Sequence, residues 1–113
     1  MKILAASKEL ANAELYFLTK APDIKKMSTL KNQRVDMQMW AMYEDQDKDG
    51  NPQTVFSLMT APEGEVYATN SPSFVRCIND ILECFAADSV HALKIIPGES
   101  KAGREFLTCA FAG

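Results

Sequence analysis

Histidine is nearly missing, with His91 alone, and the three cysteines Cys77, Cys84 and Cys109 include no Cys-x-x-Cys pair. A structural zinc site takes several such ligands at close spacing, so no metal is expected. Cys77 and Cys84 stand seven residues apart, two turns on a helix and too far for a disulfide. Free thiols in a reducing cytoplasm are the plain reading. No run approaches the roughly 20 apolar residues of a membrane span. Met1–Ala6, followed by Lys8 and Glu9, lacks the apolar stretch of a signal peptide. A glycine-rich phosphate loop is absent, no serine or cysteine sits in a recognisable nucleophile setting, and there are no repeats. Neither catalysis nor a cofactor is expected.

What is present is an ordinary globular balance of 47% hydrophobic and 24% charged residues over 113 positions, enough for one core and one domain. The net charge of −3 argues against non-specific nucleic-acid binding, for which basic domains are usual. The charge is unevenly placed, however. Lys20, Lys25, Lys26, Lys31 and Arg34 face a single acid, Asp23, within their stretch.

Ser7 followed by Lys8, Glu9 and Leu10 suggests a capped helix start, so residues 1–22 are expected to be a helical N-terminal segment packed on the rest. From Val35 to Tyr43 apolar and polar residues alternate, the period of a strand. Glu44–Pro52 is acidic, and Asp49-Gly50 signals a hairpin into a second strand, Thr54–Thr60. Pro62-Glu63-Gly64 turns the chain into a third, Glu65–Thr69. Ser71-Pro72 opens a helix. Phe74, Ile78, Ile81 and Phe85 recur at helical spacing beside Leu82, so the helix should run over about 72–86 with all five buried. Val90–Ile96 and Glu105–Phe111 read as strands four and five, either of which, as an exposed edge, could pair two copies. The order β-β-β-α-β-β is that of an OB-fold, a five-stranded, partly open β-barrel that binds oligonucleotides on its second and third strands and on the loops after strands one and four.

The run Tyr67-Ala68-Thr69-Asn70-Ser71-Pro72-Ser73-Phe74-Val75-Arg76 resembles a segment of small single-stranded-DNA-binding proteins of bacteriophages. So does Ser100-Lys101-Ala102-Gly103-Arg104-Glu105-Phe106, and Lys25–Ser28 and Tyr43-Glu44-Asp45 fit the same pattern. The resemblance implies a non-enzymatic accessory protein of phage DNA replication or recombination, acting in the cytoplasm of a bacterial host. Cellular counterparts end in a flexible acidic tail that recruits partner enzymes, and the sequence after Glu105–Phe111 shows none, which puts tail-mediated recruitment in doubt.

Single-strand binders combine cations that track phosphates with aromatic faces that stack bases. The expected phosphate contacts are Lys25, Lys26, Lys31, Arg34, Lys101 and Arg104, and the expected stacking residues are Trp40 and Tyr67. Trp40 faces outward if Met37 and Met39 face the core; in the opposite phase it packs under the helix. Asp45-x-Asp47-x-Asp49-Gly50 opens like a calcium loop, but Phe56 stands where the bidentate Glu belongs, so an acidic turn off the DNA path is expected. A contrasting reading is an OB-type adaptor that binds proteins of a replication complex and no nucleic acid.

Overall fold

The computed structural model describes the whole chain, residues 1–113. It is mainly β with two α-helices, in the order β1 (Lys2–Ala6), α1 (Asn12–Thr19), β2 (Lys25–Lys26), β3 (Arg34–Gln46), β4 (Pro52–Thr60), β5 (Val66–Thr69), α2 (Pro72–Cys84), β6 (Ala92–Glu99) and β7 (Glu105–Phe111). Short 3-10 turns lie at Met27–Leu30 and Ala87–Ser89. The strands form one curled, mixed sheet in the order β2-β5-β4-β3-β6-β7, with β1 added beside β3. The result is a half-barrel. Only β2 and β5 run parallel. No helix is long and apolar enough to cross a membrane.

β3 is the spine. β4 follows it along one edge, while the other edge is shared: Arg34–Asp36 pairs with β6, and Ala41–Glu44 pairs with β1. Between Met37 and Met39 the register with β4 slips, a bulge at Gln38 that lets its Nε2 donate to the Thr60 carbonyl at 2.9 Å. An extra residue in one strand reverses the side-chain alternation beyond it. Val35 and Met37 before the bulge therefore share the main core with Trp40 and Met42 after it, whereas Met39 and Ala41 face the other side, under Leu18 of α1.

The core is an aromatic column. Trp40 of β3 stacks on Phe56 of β4 with centroids 5.5 Å apart, and Phe56 meets Phe74 of α2 at 5.3 Å. Trp40 Nε1 donates to the Val90 carbonyl at 3.1 Å, which satisfies the one polar group of the indole. α2 lies on β7.

Several expectations need correction. Residues 1–22 are not wholly helical: Lys2–Ala6 is a strand, and the helix starts only at Asn12. Ser7 caps no helix. Its amide donates to the Trp40 carbonyl (3.0 Å), and its Oγ accepts from the Trp40 amide (3.0 Å). At α2, Phe74 and Ile78 are buried but Ile81 and Leu82 only half so. The helix ends at Cys84, and Phe85, extended and 40% exposed, stacks on Phe111 at 4.0 Å. Val90 precedes β6, which lies between β3 and β7 and is not an edge. The cysteines are free, and burial pushes the Cys109 thiol up to about 12.

Candidate nucleic-acid interface

Because Phe56, Leu58, Trp40, Met42 and Tyr67 face the core, their strand neighbours face outward. Gln53 and Val55 of β4, Ala68 of β5 and Tyr43 and Asp45 of β3 line a groove of about 850 Å3 on that outer face. One wall comes from the end of β2 and the segment after it, with Lys26, Ser28 and Lys31. Another is Asn70–Ser73, where α2 begins, and a third is the β6–β7 hairpin, with Pro97, Glu105 and Phe106. A smaller hollow of about 500 Å3 adjoins it, sharing Gln53, Asn70 and Pro72 and adding Arg76 and Asn79. Asn70 Nδ2 donates to Gln53 Oε1 at 3.0 Å, a low amide ridge between the two.

The groove carries two cations, Lys26 and Lys31, and two acids, Asp45 and Glu105. Lys20 neutralises Asp45 across 2.9 Å, and that hydrogen bond holds the Asp45 carboxyl below its usual range. The other three lining charges form no ion pair. Burial, and then the nearby Asp45 charge, raise the pKa of Tyr43.

Lys26 and Lys31 are thus the predicted cations that reach the groove. Lys101 and Arg104 stand exposed at the tip of the β6–β7 hairpin, just beyond its last rung, Glu99 opposite Glu105. That tip is closed by Ser100 N–H donating to the Arg104 carbonyl at 2.8 Å. Lys25 and Arg34 belong to their own carboxylates. Lys25 Nζ lies 3.0 Å from Glu65 and 5.7 Å from the centre of the Tyr67 ring, and Arg34 lies 3.4 Å from Asp36.

Neither expected stacking residue has a free face. Trp40 is 1% exposed, because the bulge at Gln38 turned it inward. Tyr67 is 8% exposed in the same core, with its hydroxyl donating to Glu65 at 2.9 Å. Two aromatics line the groove, Tyr43, which is 4% exposed, and Phe106, 38% exposed, whose ring is the one open to it. The signal of Phe106 in the sequence is faint: the residue opposite it in the hairpin is Gly98, which leaves room for a ring to lie on bare backbone. Asn70 and Arg76 carry no binding signal of their own in the sequence. In the acidic turn, Asp47 Oδ1 accepts the amides of Asp49 and Asn51, both at 2.9 Å, so this carboxylate closes the hairpin.

Compared with protein-family models, curated proteins and solved structures, the chain matches none.

Proposed function

We propose that this chain is a single-stranded-DNA-binding protein of OB type, which takes unpaired strands along the outer groove with little sequence preference and catalyses nothing. The observation that carries the reading is where the groove lies: on β4 and β5, between the β3–β4 hairpin and the β6–β7 hairpin. With β3 counted as the first strand, the pairings β3–β4, β4–β5, β3–β6 and β6–β7 are compatible with an OB-fold, and β4 and β5 are then its second and third strands. Oligonucleotides bind OB-folds on those strands and on the loops after the first and fourth. Lys26 and Lys31 supply unpaired positive charge, and Phe106 supplies a ring face. Together with the resemblance of Tyr67–Arg76 and Ser100–Phe106, these features support a role in phage DNA replication or recombination. The net charge of −3 and Glu105 in the groove instead favour an adaptor that binds replication proteins.

Fluorescence anisotropy with labelled oligo-dT separates the two. The proposal expects binding at low salt that weakens as salt rises, and a much weaker response to duplex of the same length. No response to oligo-dT at low salt leaves the adaptor reading.

A further inference from the structure

We propose that the N-terminus of α2 is a phosphate-anchoring site, which fixes one phosphate of the bound strand and so sets where the strand enters the groove. The inference rests on the strand-binding reading above.

The first turn of α2 opens into the groove through Ser71, Pro72 and Ser73. Such a turn presents unsatisfied N–H groups and the positive end of the helix dipole. Here the usual internal cap is missing. Ser71 holds the capping position, but its Oγ turns away and donates to the Leu107 carbonyl at 3.0 Å. The Ser71 amide is satisfied by Thr69 Oγ1 and the Val75 amide by the Ser71 carbonyl. Pro72 has no N–H, so the donors left without an acceptor are the amides of Ser73 and Phe74, and of these Ser73 lines the groove whereas Phe74 is wholly buried.

A second observation points to a ligand. Tyr43 is only 4% exposed, yet it lines this groove with a hydroxyl that meets no acceptor or donor of the chain. Lys26 and Lys31 complete the surroundings, and both lack a carboxylate partner. The Ser73 amide at a helix start, two ammonium groups and a phenol form a donor set suited to phosphate. Glu105 opposes it.

The test follows the Ser73 and Phe74 amide resonances of the 15N-labelled full chain during titration with inorganic phosphate, with oligo-dT lacking terminal phosphates, and with 5′-phosphorylated oligo-dT. The Ser73 amide should shift with oligo-dT, and the buried Phe74 amide beside it should shift less. Lys31→Ala should weaken that binding about tenfold, the scale of one charge-assisted contact. Ser73→Asp should leave the melting temperature unchanged or raised, since an acid suits a helix start, while abolishing the amide response. Glu105→Gln should tighten binding. A tighter response to the 5′-phosphorylated oligomer would place the strand's end at the anchor, and an equal one would place an internal phosphate there. Oligo-dT that binds without moving either amide overturns the anchor and leaves strand binding intact. Amides that move with inorganic phosphate in a chain that ignores oligo-dT overturn the strand-binding reading and retain the anchor for a small phosphorylated ligand.

Discussion

Phe106 rests directly on Gly98, its partner across the β6–β7 hairpin: a Cβ added at position 98 would lie 2.4 Å from ring atoms Cε2 and Cζ. Two atoms cannot share that space, so Gly98→Ala must push the ring from its seat. Phe106→Ala should cost roughly 1–3 kcal/mol of oligo-dT affinity, the range for one stacked base. Its effect on melting should be small, because the ring is exposed. Gly98→Ala should lose affinity in the same direction, and the double variant should lose no more than Phe106→Ala alone. Additive losses would show that Gly98 does not act through the ring.

Trp40 makes the opposite prediction. Its indole lies inside the aromatic column and its Nε1 is bonded to Val90. Trp40→Ala should destabilise the fold by about 3–5 kcal/mol, as read by urea unfolding. As the chain's one tryptophan, it should emit as a buried indole, and adding oligo-dT should leave that emission unquenched. Strong quenching by short oligomers would mean the ring is reached by bases.

How this residue was placed shows what the sequence holds and what it hides. The strand over Val35–Tyr43, the Asp49-Gly50 turn and the start of α2 at Ser71-Pro72 are legible because each depends on local periodicity or turn chemistry. The bulge at Gln38 depends on β4 and on the Thr60 carbonyl, which are distant in sequence, so the phase of Trp40 is not written in its own strand. Ser7 looks like a helix cap until Trp40 claims its hydroxyl. Lys25-Lys26 gives no strand signal, since its pairing is made entirely by β5. Of the site, the cations are visible as a list. Which of them are occupied by Glu65 and Asp36 is a matter of tertiary contact.

Acid should weaken the fold through specific pairs. Lys25 and then Tyr67 hold Glu65 below its ordinary value of 4.5, Lys8 and the Ala11 amide do the same for Glu14, also from 4.5, and Lys20 lowers Asp45 from 3.8. A carboxyl depressed in the folded state adds stability above its unfolded pKa, and that stability is lost as pH falls through the folded value. The urea midpoint should therefore hold near neutrality and decline from about pH 4.5 downward. The individual effects are small because the pairs are solvated. Glu65→Gln should shallow the decline. A decline as steep in Glu65→Gln as in the parent would remove Glu65 from the account.

Salt dependence should sort the cations by their partners. Binding single-stranded DNA releases counterions, with a slope of about −0.7 in log affinity against log salt for each phosphate neutralised. Lys26, Lys31, Lys101 and Arg104 have no carboxylate partner, while Lys25 is held by Glu65 and Arg34 by Asp36. A cation already paired contributes little net charge to an approaching phosphate, and releasing it means breaking the pair. The four free cations of the groove and its hairpin tip together contribute a slope no steeper than about −3. Lys26→Ala or Lys31→Ala should each flatten the slope by up to about 0.7. Lys101→Ala and Arg104→Ala, at a hairpin tip that one strand need not reach continuously, should flatten it by less. Lys25→Ala and Arg34→Ala should leave both slope and affinity close to those of the parent. Phe106→Ala should lower affinity at every salt concentration in parallel, because it removes stacking and no charge. If Lys25→Ala flattens the slope as much as Lys26→Ala does, the strand runs along the β2 edge on the side of Tyr67 and not through the groove.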